Sequence, residues 1–325
     1  MDLQDEFIAA LYAKVPRRID LENRIADILD IEKDAAYRRL SGKVNFSIRE
    51  MGILADQFRI SLDRLMHAGS EHLWIPFTLE SPVREKSIDA ICDIIDIYLA
   101  RLKIITKDPT ESGNVYCSLP MEFYMHSPLL TKFMFFKWGH YFVATDEFNE
   151  FSSWELPARL TNLKEKIVDS CVFYKSFYIW DSSLIWSLAL EVKNFYKMHI
   201  ITADEKDAIR QELRILMRNF EKFLNGTIPP FDMPPFPEID FYVSSINMGF
   251  TSSYYSSTKM FTSSFHTNFS FAAIEDCYES FKRMKDWIDS LRNISTLLSK
   301  SGRIERRLFF ETQDKIINQI LGEND

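Results

Sequence analysis

Glycine is scarce in this chain: there are 9 in 325 residues, against an average usage of roughly 7%. No G-x-G-x-x-G and no G-x-x-x-x-G-K-[ST] stretch occurs, which excludes the two commonest glycine cradles for nucleotide phosphates. The four cysteines, Cys92, Cys117, Cys171 and Cys277, stand far apart with no C-x-x-C pair and no histidine pair at zinc-ligand spacing. They read as reduced core thiols, and no metal or other cofactor is expected. There is no H-E-x-x-H, no G-x-S-x-G and no local nucleophile-base-acid spacing, so the chain is not read as an enzyme. Long apolar runs are missing as well. The two most apolar stretches, 129–143 and 179–190, are interrupted by Lys132, Lys137, His140 and Asp181, and neither approaches the 18 or so apolar residues of a membrane span. The first residues, Met-Asp-Leu-Gln-Asp-Glu-Phe, are acidic where an export signal is basic and then apolar, so a cytoplasmic location is expected.

What is present is ordinary globular composition, 46% apolar and 26% charged, at a length that suits two domains. Residues 1–68 read as the first, 69–82 as a linker containing Gly69, Pro76 and Ser81-Pro82, and 83–325 as the second. In the first, Leu3, Phe7, Ile8 and Leu11 recur at helical spacing up to Pro16. Leu21, Ile25, Ile28 and Leu29 follow the cap residue Asp20. A third helix, 34–41, turns Ala36 and Leu40 inward and ends at Gly42, where a left-handed residue is easily placed. Ser47 with Glu50 forms a capping box that opens a fourth helix through Phe58, burying Ile48, Met51, Leu54 and Ala55. Ser61 opens a short fifth with Leu62 and Leu65.

Net charge is -8, yet between Lys33 and Arg49 the basic residues Lys33, Arg38, Arg39, Lys43 and Arg49 face only Asp34. The stretch Leu21 to Leu65, with Ala26 in the second helix, Ile31 in the turn, the segment Tyr37-Arg38-Arg39-Leu40-Ser41-Gly42 and the serine-capped fourth helix, resembles the lambda-repressor/Cro-like (XRE-type) helix-turn-helix family. The resemblance covers about a fifth of the chain. It implies a five-helix domain that binds double-stranded DNA as a transcriptional regulator. Two positions depart from the family pattern: Asp30 stands where the turn usually has glycine, and Arg39 where an apolar residue is usual, with Leu40 one residue late. Asp tolerates the left-handed conformation better than most residues. Which of Tyr37, Arg38 and Arg39 faces the bases stays open.

The major groove admits one helix, entered by its early residues, here Lys33, Asp34, Ala35, Tyr37 and Arg38. Arginine pairs with guanine through two bonds, aspartate accepts from cytosine, and an alanine methyl meets a thymine methyl. Asp34 equally suits a helix cap. Lys43 and Asn45, with Arg17 and Arg18, suit the sugar-phosphate backbone. One such motif reads few base pairs, so a homodimer on a two-fold operator is expected.

In the second domain Ile88, Ile91, Ile95, Tyr98, Leu102 and Ile105 form a short heptad seam, read as a core helix or a dimer contact. Residues 118–143, 156–198, 203–225, 273–299 and 303–321 read as helices, and 239–271, after five prolines, as two or three antiparallel strands. The expected class is therefore mainly α with a small antiparallel sheet. An unidentified small-molecule or protein effector is a candidate partner of this domain, and His266 a candidate pocket residue or simply part of a hairpin. Two alternatives stand beside the regulator: a protein-interaction module or scaffold, and an enzyme with its site in the second domain.

Overall fold

The computed structural model describes residues 2–58, 60–66, 78–80, 87–105, 111–125, 127–143, 145–161, 175–226, 238–258, 260–266, 272–300 and 302–322. It divides into two compact units, residues 1–77 and 78–325.

The first unit holds helices α1 (Leu3–Lys14), α2 (Arg18–Leu29), α3 (Lys33–Leu40), α4 (Ile48–Phe58) and α5 (Leu62–Met66). Their apolar stripes meet in a core that includes Phe7, Leu11, Leu21, Ile25, Ala36, Leu40, Phe46 and Leu54. Burial of such side chains supplies about 1.5–3 kcal/mol each before chain entropy is counted. Gln4 is buried beside this core, and its Oε1 accepts from the Phe46 N–H at 3.2 Å. That bond fastens the α3–α4 loop to α1. The capping box is formed: Ser47 N–H donates to Glu50 Oε2 at 2.8 Å and Glu50 N–H to Ser47 Oγ at 3.2 Å. Two details correct the sequence reading. Helix α2 begins at Arg18, with Asp20 inside its first turn. Ile48 shares the helical stripe of Met51 and Ala55 but is 89% exposed, because as the first residue of α4 it lies beyond the edge of the core.

The second unit departs from the expected class. It is built on an eight-stranded mixed sheet, in the order β1-β7-β6-β5-β2-β3-β4-β8, and is not a helical domain with a small sheet. The strands are β1 (Thr78–Glu80), β2 (Glu111–Tyr116), β3 (Lys175–Asp181), β4 (Glu238–Ser244), β5 (Thr251–Ser256), β6 (Phe261–His266), β7 (Ala272–Glu275) and β8 (Thr296–Leu297). The neighbours β2, β3 and β4 are parallel, and the other pairings are antiparallel. β1 lies in the stretch read as linker, β3 in one read as helix, and β7 and β8 in another. Among the helices are α6 (Ile88–Ile105), α7 (Met121–Tyr124), α8 (Pro128–Phe142), α9 (Ala158–Thr161), α10 (Trp186–Lys197), α11 (Ala203–Leu224), α12 (Tyr278–Ile294) and α13 (Arg303–Leu321).

One large aromatic core joins side chains of α8, α10, α11 and α13 to Tyr178, Trp180 and Phe241 of the sheet. A smaller one places Phe281, Met284, Ile288 and Leu291 of α12 with Phe177, Ile179 and Tyr254. Alternate residues of β3 thus serve both cores. Of the heptad seam, Ile95 is buried in the core of its own unit and Ile88 packs against it. Strands β4 and β5 are separated in the sheet by β3 and β2, so residues 245–250 cross the carboxyl ends of those strands. The buried Asp181 anchors the crossing, accepting from Met248 N–H at 2.7 Å and from Ser183 N–H at 2.8 Å.

Candidate nucleic-acid interface

Helix α2 ends in a left-handed residue, Asp30, at φ 51° and ψ 52°. Its N–H and that of Ile31 both bond to the Ala26 carbonyl, which closes α2 and starts α3 three residues later. Asp in place of glycine is accommodated here at the conformation the turn needs. Ala36 and Leu40 of α3 are buried, and this single inward stripe decides what the helix shows to solvent. Lys33, Asp34 and Arg38 are exposed, and Ala35, Tyr37 and Arg39 are half-buried.

Arg39 is turned away from the exposed face. Its Nε and Nη2 atoms donate to Glu50 Oε1 at 3.1 and 2.7 Å, and its Nη1 donates to the Ala35 carbonyl at 3.2 Å. Arg39 and Glu50 retain only 19% and 18% of their side-chain exposure. Partial burial pushes the Glu50 carboxyl up, but the Arg39 hydrogen bond and the Ser47 amide and hydroxyl outweigh it and hold the group below the ordinary carboxylate range. Arg39 therefore faces inward, as a strut between α3 and α4. Of Tyr37, Arg38 and Arg39, only Arg38 is fully exposed and Tyr37 is half-buried.

Arg38 pairs with Asp34 one turn earlier at 2.9 Å, both well exposed. Such a pair contributes a few tenths of a kcal/mol and exchanges readily for a ligand. Tyr37 has the Arg18 guanidinium 4.4 Å and the Lys43 ammonium 5.5 Å from its ring centre. Arg18 also bonds Glu22 at 2.7 Å, a pair that raises its already high pKa. The structure thus gathers Arg18, Tyr37 and Lys43, which are distant in sequence. Sequence spacing has no signal for the Arg18 contact, since it spans two helices. After α3 the chain folds back on it: Gly42 takes φ +71°, and the N–H groups of Lys43 and Val44 both donate to the Arg38 carbonyl, at 2.9 and 3.2 Å. Lys43 and Asn45 are exposed on this loop.

The second unit holds its charges differently. Lys137, 1% exposed, bonds Glu191 at 2.7 Å, and burial pushes its pKa down against the pull of that carboxylate. Glu111 accepts from Lys285 at 2.6 Å and from the Tyr254 hydroxyl at 3.0 Å. His266 lies 3.0 Å from the Ser264 hydroxyl in the β5–β6 hairpin, and burial pushes its pKa down to about 4, so the ring is neutral at pH 7. Among the described residues no group of three or more His, Cys, Asp or Glu is placed to hold a metal ion, and no helix is long and apolar enough to cross a membrane.

No protein-family model, curated protein or solved structure matches this chain.

Proposed function

We propose that the chain is a sequence-specific DNA-binding transcriptional regulator that acts in the cytoplasm as a homodimer on a two-fold site. The reading is carried by one observation: α3 buries only Ala36 and Leu40, leaves Lys33, Asp34 and Arg38 exposed and Tyr37 half-buried, with Arg18 and Lys43 on the Tyr37 ring. Packing does not require that arrangement. A groove-reading helix flanked by phosphate-binding cations does. In this reading Arg38 exchanges Asp34 for guanine, Lys33 and Asp34 meet neighbouring base edges, and Lys43 and Asn45 hold the backbone. The second unit oligomerises the protein and takes any effector, with no catalytic role.

The test is selection from a pool of random duplexes by the purified chain, beside the variant Arg38→Ala/Lys43→Ala. Enrichment of a two-fold motif by the wild type, lost in the variant, supports the reading. No enrichment at low salt removes it and leaves a protein-interaction module.

A further inference from the structure

Helices α1, α2 and α4 of the first unit border a cavity of about 310 Å³, lined by Lys14, Arg24, Ile28, Gln57 and Phe58. Three elements supply these residues: Lys14 is the last residue of α1, Arg24 and Ile28 stand one turn apart on α2, and Gln57 and Phe58 end α4. Phe58 is buried and Ile28 half-buried, both packed in the core of the unit, so the cavity has a firm apolar floor. Lys14, Arg24 and Gln57 are exposed around it. The Arg24 guanidinium lies over the Phe58 ring, 5.8 Å from its centre. A guanidinium so placed keeps N–H groups at its edge for a planar anion.

Charge sets this cavity apart. The chain carries a net charge of -8, yet the charged residues of the lining are two cations, and among the described residues neither is paired with a carboxylate. Lys14 suits the carboxyl end of α1 through the helix dipole, but that accounts for one cation and not for a second across the cavity. Two like charges on one concavity repel, and an anion between them turns the repulsion into attraction. A second cavity, between α11 and α13, is unlike this one: its Arg214 and Arg307 are already paired with Asp314 and Glu311. Ligand pockets for small molecules begin at about 300 Å³, the size seen beside Arg24. We infer that this cavity binds a small organic carboxylate, held at its charged end by Arg24 and Lys14 and laid with its apolar body on Phe58 and Ile28. None of these residues belongs to α3, and the inference does not rest on the DNA-binding reading.

The experiment titrates naphthoate into the full-length chain by calorimetry, beside the neutral analogue naphthylmethanol and inorganic phosphate, with Arg24→Gln, Lys14→Gln and Arg49→Gln as variants. Naphthoate should bind, with naphthylmethanol and phosphate each about tenfold weaker or worse, because each lacks one half of what the site offers. Loss of a charge-assisted hydrogen bond is worth about tenfold or more in affinity, so Arg24→Gln should weaken naphthoate by that factor and Lys14→Gln in the same direction. Arg49, an exposed cation outside the cavity, should be replaceable without effect. Arg24 is exposed, so Arg24→Gln should melt with the wild type, which separates lost binding from lost folding. No naphthoate binding at millimolar concentration, equal binding of naphthylmethanol, or affinity unchanged in both Arg24→Gln and Lys14→Gln overturns the inference. Phosphate bound as tightly as naphthoate overturns the carboxylate assignment. Each of these results leaves the duplex selection, and the DNA reading it tests, untouched.

Discussion

Arg39 shows how a single neighbour decides the meaning of a residue. By position it belongs to a run of cations on α3, and Glu50 withdraws it from that run. The same carboxylate closes the capping box on Ser47, so one group ties α3, the loop and α4 together. In the folded state this carboxyl titrates below its ordinary value, about 4.3 in an unfolded chain. Its contribution is therefore full at neutral pH and is lost as pH falls from about 4.3 through the lower folded value. Glu50→Gln should cost about 1–2 kcal/mol at pH 7, with much of the difference gone at pH 3, read from urea unfolding of the first unit. An equal loss at both pH values would show that the charge is irrelevant. The capping box was legible from Ser47 and Glu50 alone because both partners are three residues apart. The ion pair was not, because it joins residues 11 apart across a turn.

At the scale of elements, legibility followed how local the forces were. Helices α11 and α13 fall within a residue of the sequence reading, and in the structure α11 is closed at its start by the Thr202–Glu205 capping box. The strands β2 and β3 gave no such sign. β3, Lys-Ser-Phe-Tyr-Ile-Trp-Asp, is buried on both faces, so it lacks the alternation of a half-buried strand and passes for an aromatic helix core. β2, Glu-Ser-Gly-Asn-Val-Tyr, has the composition of a loop, yet its interior positions are buried. Its glycine is explained by packing: a Cβ on Gly113 would lie 2.3 Å from Tyr254 Cε1 and 2.7 Å from Phe177 Cζ. Neither ring is free to give way, since the Tyr254 hydroxyl is held by Glu111 and Lys285 and Arg292 lies 4.4 Å over the Phe177 ring. Ser112 and Asn114 then satisfy each other and Ser176 inside the sheet. Gly113→Ala should destabilise the second unit by about 1–3 kcal/mol through overpacking. A calorimetric transition unchanged by the substitution would mean that the rings repack without penalty.

At the scale of the whole molecule, charge and symmetry set what a DNA-binding reading requires. The chain carries a net charge of -8, so its attraction to DNA has to be local, confined to the cations around α3, and screened by salt. Each phosphate contact contributes about 0.9 to the log-log salt slope. One recognition helix covers only a few base pairs, too little to single out a site among many, and a two-fold protein doubles the read length by placing two such helices about 34 Å apart along the duplex. The heptad seam of α6 is not a free surface for this pairing at Ile95, which its own core occupies. A two-fold contact through α6 would therefore have to use residues other than Ile95. Sedimentation of the full chain at micromolar concentration should give a species of twice 38.2 kDa, and the selected operator should contain two inverted half-sites in phase with one helical turn. A 38.2 kDa species alone, bound to a single asymmetric half-site, would remove the dimer and require the recognition surface of α3 to extend to further contacts of the same subunit.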